Sequence, residues 1–234
     1  MRLRLGQTLA SLLLLVSAAG QTPAKAANGA PAAAAKTPQV VSEDLGPISS
    51  EIAQSEYEIH WQHAAGAYMA PNRAQNLRFT FHDDGLTITP RKLAKNQPAW
   101  TATMRLESFG RPEGVVRRVG EASWAIAKNT AQDRGHGIAI NYRNDQQGLR
   151  QEFLVEEKPP GDGPLRLEFG LERSGVNLFV DSPQNIMYFT KQVKSAQEVM
   201  MRYSDLMVFD ANRQPLQARL VKEDADRFAI VVAF

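Results

Sequence analysis

Beyond residue 51 the chain alternates apolar and polar residues with period two, in short runs divided by turn residues. Successive side chains of a β-strand point to opposite faces, so this period belongs to strands with one dry and one wet face. The clearest run is Leu165, Leu167, Phe169 and Leu171, alternating with Arg166, Glu168, Gly170 and Glu172. Tyr57, Ile59 and Trp61 follow the same rule, as do Leu77, Phe79 and Phe81. Asp84-Gly85 reads as a tight turn needing positive φ, with Leu86 and Ile88 on the return strand of a hairpin. Trp100, Ala102, Met104 and Leu106 share one face of a further strand. Ala122, Trp124 and Ile126 form another, and Ile138, Ile140 and Tyr142 the next. Leu149, Gln151, Phe153 and Val155 keep the phase less cleanly. Val193 to Met207 fits a short helix or a strand, and reads as strand from Glu198 to Tyr203. Leu216, Ala218 and Leu220 are expected to pair with Phe228, Ile230, Val232 and Phe234 across the polar turn 222–226.

Parallel strands buried on both faces would be apolar throughout, so one-sided strands argue antiparallel pairing. Many short strands with turn signals between them predict an all-β, antiparallel β-sandwich-like domain over residues 51–234, or two small β-lobes. The Pro- and Gly-rich stretch from Pro159 to Pro164 is the strongest internal break and reads as a rigid turn.

The first 26 residues have a different character. Arg2 and Arg4 precede an apolar run from Thr8 to Ala19, and Ala24-Lys25-Ala26 fits the small-x-small cleavage rule. Ser17-Ala18-Ala19 is a second such site. The run is about a dozen residues where a membrane-spanning helix needs about 20. Residues 1–26 therefore read as a cleavable signal peptide, with the mature chain beginning near Ala27 or near Gly20. Its destination is the periplasm or the extracellular medium. Residues 27–50 are rich in Ala, Pro and Ser, with too few large apolar groups to offset ordering entropy, and read as a disordered tether.

Charge and cysteine content narrow the function classes. The 27 basic residues include three within the leader, which leaves 24 against 25 acidic ones, a formal net of −1 for the mature chain. Such a chain has no general attraction for nucleic acid. It contains no cysteine, which excludes a lipidated-Cys anchor, disulfides, Cys-ligated zinc and Cys nucleophiles.

No residue pattern reaches the specificity of a site. His60 and His63 are three apart, which on a strand places them on opposite faces. His82-Asp83-Asp84-Gly85 has the composition of a hairpin tip, and Asn141 to Asp145 is oxygen-rich, as calcium loops are. Glu107, Glu152, Glu168 and Glu172 alternate with apolar neighbours and read as a solvated strand face rather than a glycosidase pair. There is no Gly-x-Ser-x-Gly elbow. Gly135-His136-Gly137 reads as a turn. Trp61, Trp100 and Trp124 are in phase with apolar neighbours and read as core rather than sugar-stacking platforms. Catalytic, cofactor-binding and metal residues are accordingly assigned to none.

Four segments together resemble a known module. They are Tyr68–Phe81 (YMAPNRAQNLRFTF), Phe109-Gly110-Arg111, Gly148–Val155 (GLRQEFLV) with Pro160–Leu165 (PGDGPL), and Tyr203–Leu220 (YSDLMVFDANRQPLQARL). Their order and spacing resemble an all-β module of large secreted bacterial proteins, commonly placed N-terminal to FG-GAP-like or other β-propeller repeats. The resemblance covers most of residues 55–232 and implies a secreted, non-catalytic module. Chains of that kind usually continue through a Tyr-Pro and Asp-Pro stretch into the repeats. Here the sequence ends at Phe234, which implies a stand-alone version or a piece of a longer one.

The expected function is an exported, non-catalytic binding or scaffolding module. Its expected partner is a protein or glycan at the cell envelope, with no nucleic acid and no membrane span once the signal is removed. The alternating end Phe228, Ile230, Val232, Phe234 resembles the terminal strand of outer-membrane barrels. An integral outer-membrane β-barrel is therefore the alternative, and a secreted hydrolase the third reading.

Overall fold

A computed structural model describes residues 10–17, 55–112, 117–118, 122–135 and 137–233. In chain order the strands are β1 (Ala10–Ser17), β2 (His60–Gln62), β3 (Ala67–Asn72), β4 (Leu77–His82), β5 (Gly85–Pro90) and β6 (Thr101–Gly110). Then come β7 (Arg117–Arg118), β8 (Trp124–Ala127), β9 (Thr130–Gly135), β10 (Ile138–Asp145), β11 (Gly148–Val155) and β12 (Leu165–Ser174). The last are β13 (Asn177–Asp181), β14 (Ile186–Val193), β15 (Ala196–Phe209), β16 (Pro215–Leu216), β17 (Ala218–Lys222) and β18 (Arg227–Val232).

The strands make two antiparallel sheets. Sheet I runs β13-β14-β15-β1-β11-β10-β9-β8, with β16 paired to β15. Sheet II runs β17-β18-β12-β6-β5-β4-β3-β2, with β7 paired to β6. Each path has two ends, the geometry of a sandwich rather than of one closed barrel. The inner faces meet through edge-on aromatic pairs: Phe153 with Phe169 at 5.5 Å, Phe81 with Tyr142 at 5.3 Å, and Tyr203 with Phe228 at 6.1 Å. Such pairs add about 0.5–1.5 kcal/mol each beyond the area they bury. The buried side chains of both sheets form one continuous cluster, so the two-lobe form is not the one adopted.

The alternation places the core correctly along most strands. Leu165, Leu167, Phe169 and Leu171 are all buried, and Glu168 is exposed. Val155 and Leu165 bound the Pro-rich turn, which carries the chain from β11 in sheet I to β12 in sheet II. Of the stretch that fitted helix or strand, Val193 ends β14, and from Ala196 onward it belongs to the long β15.

Three expectations are corrected. Trp61 is 46% exposed, because β2 is a three-residue edge strand and the core ends at Ile59. Leu216 does not continue β17. It pairs with Val208 of β15, and the chain changes sheets at Gln217. Gly85 is not among the glycines with positive φ. A Cβ there would lie 2.4 Å from the Met104 carbonyl oxygen of β6, so the glycine admits the neighbouring backbone.

The apolar run read as the core of the signal peptide is β1, seated between β11 and β15. The remainder of 1–26, the tether 27–50 and Phe234 lie outside the described residues.

Candidate functional site

Strands β8 to β11 of sheet I, with β6, β12 and the β4–β5 hairpin of sheet II, leave a recess of about 370 Å³ between the sheets. Trp124 of β8 and Tyr142 of β10 wall it on one side, and Asp84, Gly85 and Arg105 border it on the other. Trp124, Asp133 and Ile140 lie opposite one another across β8, β9 and β10, which directs their side chains to the same face. The Trp124 indole N–H donates to the His82 carbonyl at 3.1 Å, and its ring meets Phe81 edge-on at 5.3 Å. The Trp is therefore half-buried with its polar edge fixed.

The polar groups of the recess are held by one another. The Gln151 amide donates to the Tyr142 hydroxyl at 2.6 Å, and its carbonyl oxygen accepts from the Tyr203 hydroxyl at 2.7 Å. Asp133 accepts the Ser123 backbone N–H at 2.8 Å. Arg105 is gripped by Asp84 and by Glu172. Burial pushes the Tyr142 phenol well above its ordinary range, and the nearby Asp133 carboxylate adds to the shift. Tyr203 is raised by burial and then by its proximity to Tyr142. Both hydroxyls are thus neutral hydrogen-bonding groups, not bases.

The residues singled out in the sequence are scattered. His60 is exposed beside Glu58, and His63 follows β2 in a turn. Among the described residues, no three His, Asp or Glu side chains gather as a metal site. Glu107, Glu168 and Glu172 are exposed. Glu168 accepts from Ser108 and Glu172 pairs with Arg105, as expected of a solvated face laced with ion pairs. Glu152 accepts from Asn141 on the outside of sheet I. Trp100 is core, Trp124 borders the recess, and Trp61 lies outside against Tyr68. His136 lies outside the described residues.

The oxygen-rich stretch from Asn141 to Asp145 has a structural task that the sequence hides. Asn144 is fully buried; its amide donates to the Tyr57 and Pro71 carbonyls at 2.9 and 2.8 Å. Its own carbonyl oxygen accepts from Asn72 at 2.8 Å, and Asn72 also donates to the Asp145 carbonyl. The pair latches the β3–β4 turn of sheet II to the β10–β11 turn of sheet I. Nothing local could reveal it, because the partners are about seventy residues apart.

A second surface was also missed. Phe179 of β13 is 57% exposed and stacks on Tyr188 of β14 at 6.3 Å, on the outer face of sheet I. Its signal was present, since Phe179 falls between Leu178 and Val180 without clean alternation.

No family model matches the chain, nor does any curated protein or solved structure.

Proposed function

We propose that the chain is an exported, non-catalytic β-sandwich module that binds at the cell envelope or outside the cell, and that the recess beside Trp124 is its binding site. The observation that carries this reading is the way the recess is fixed. An aromatic wall stands beside hydrogen-bonding groups that are immobilised by Gln151, Ser123 and the His82 carbonyl. Rigid aromatic and polar groups suit recognition of a sugar ring, which offers one apolar face and a rim of hydroxyls. The Tyr142 and Tyr203 phenols suit proton transfer poorly, since burial holds them above their ordinary range and away from the neutrality that such work needs. The resemblance to modules that precede β-propeller repeats supports the same reading.

The test is a titration of the mature chain with soluble peptidoglycan fragments and lipopolysaccharide-derived oligosaccharides, followed by tryptophan fluorescence. One of these should give a saturable change whose affinity falls more than about tenfold in Trp124→Ala, a loss of about 1.4 kcal/mol. Trp61→Ala, on edge strand β2 and outside the recess lining, should bind as the parent does. Absence of a response to every glycan would sink the recess as the site. Turnover of a chromogenic glycoside that disappears in Asp133→Asn would make the protein an enzyme instead.

A further inference from the structure

The strand that fills the middle of sheet I comes from the segment that reads as an export leader. Ala10 to Val16 pair antiparallel with Val155 to Leu149 of β11, and Ser11 to Ser17 pair antiparallel with Phe209 to Arg202 of β15. It follows that β11 and β15 run parallel to each other, one strand's width apart. At the usual spacing of about 4.8 Å per step, their separation is about 9.6 Å. Cleavage after Ala26 or Ala19 takes β1 away with the leader.

The two neighbours cannot simply close over the vacancy. Sheet II fixes their separation: Phe169 and Phe228 are opposite residues on β12 and β18, stacked at 4.7 Å. Phe153 of β11 packs on the first and Tyr203 of β15 on the second. Beside this floor, the Tyr203 hydroxyl reaches across to Gln151 of β11, with 2.7 Å between the heavy atoms. Sliding β15 onto β11 would leave no room for the two side chains that now span the gap, and would tear both aromatic contacts. Left open, the slot would present two rows of backbone N–H and C=O groups above a buried aromatic floor, a costly arrangement for polar groups without partners.

We propose that this slot is a strand-acceptor site. In the exported chain it takes an extended, uncharged, apolar segment of about eight residues from a partner polypeptide, antiparallel to both β11 and β15. The chemistry of the guest is that of the segment seated there, Ala-Ser-Leu-Leu-Leu-Leu-Val-Ser, eight residues without a charge. The slot also selects register. In the backbone register Leu13 pairs with Met207 and Leu15 with Ser204, so Asp205 and Leu206 together oppose one residue of the guest. Asp205 holds φ +62° at this bulge. A guest shifted by one residue would misplace its kink and turn every side chain to the wrong face. The proposal rests on the export reading but not on the glycan recess.

The test uses the full chain with a protease site inserted in the 27–50 segment. The chain is folded with its own β1, cut, and mixed with an excess of a fluorescent Ala10–Ser17 peptide flanked by lysines. The expected result is capture of one peptide per chain, with release of the cut N-terminal fragment. A peptide carrying Leu13→Pro should be captured at least about tenfold less, because proline removes a ladder donor. Equal capture of both peptides would overturn the proposal. So would no capture by a cut chain that loses its fragment and still melts cooperatively, since the slot would then have closed by itself. N-terminal sequencing of the exported protein separates the two premises. Intact Met1–Ala26 would remove the export reading and the proposal together, whereas failed capture by a correctly processed chain removes the proposal alone.

Discussion

Tyr142 and Tyr203 are the residues whose chemistry burial changes most. Water is excluded from both hydroxyls, the Asp133 carboxylate lies near Tyr142, and Tyr142 lies near Tyr203, so both pKa values stand above the ordinary value of about 10. The consequence for stability has a definite sign. Below pH 10 the folded and unfolded chains both keep these protons, and the contribution is whole. Above it the unfolded chain releases them while the folded chain does not, so stability falls as pH rises, by up to about 1.4 kcal/mol per pH unit for each tyrosine. Urea midpoints should accordingly hold steady from neutrality to about pH 9.5 and drop steeply beyond. Tyr203→Phe should cost about 1–3 kcal/mol at neutral pH, because Gln151 loses its donor in a buried place. Its alkaline decline should be shallower than the parent's; identical slopes would show that Tyr203 does not titrate in this way. None of this was readable from the sequence. Gln151 looked like a lapse in an apolar run, and its meaning lies in two tyrosines on other strands. Gly85 was misread for the same reason: the atom that forbids a side chain there belongs to Met104 of the next strand.

Strands were legible where one face meets water and the other meets the opposite sheet. β12 is the clearest case, and it sits between β6 and β18 with both faces contrasted. The alternation misled at the edges. Ile59 and Trp61 share a phase, but the opposite sheet reaches only the first. Leu216 is in phase with Ala218 and Leu220, yet the chain leaves one sheet for the other between them. Phase reports which side a residue faces and says nothing of what stands on that side. A pair of substitutions on β12 tests the facing directly. Phe169→Ala should cost about 3–5 kcal/mol, since Phe153 and Phe228 would border a cavity. Glu168→Ala should cost no more than about 1 kcal/mol, the loss of its hydrogen bond with Ser108. Chemical denaturation of both variants decides it: equal losses would mean that the register of β12 is wrong.

At the scale of the whole molecule, the number and character of the strands could be read, but their pairing could not. β12 lies beside β6 and β18, which are remote from it in the chain, and turn chemistry carries no information about such neighbours. The pairing matters because it laces the two sheets together. The chain changes sheet between β1 and β2, between β7 and β8, between β11 and β12, between β12 and β13, and again between β16 and β17. Neither sheet can be assembled from one continuous stretch, and each supplies the floor on which the other packs. The sandwich should therefore unfold as one unit, not as two lobes. Tryptophan offers a reporter on each side. Trp100 is buried where the chain enters β6 of sheet II, and Trp124 begins β8 of sheet I. Replacing the other two tryptophans by phenylalanine leaves one reporter at a time. Within each variant, the urea transition followed by tryptophan fluorescence should coincide with that followed by far-ultraviolet circular dichroism. If the Trp124 variant loses its fluorescence signal before its strand signal while the Trp100 variant shows a single transition, sheet I opens alone. The interlaced topology would then not be enough to couple the sheets.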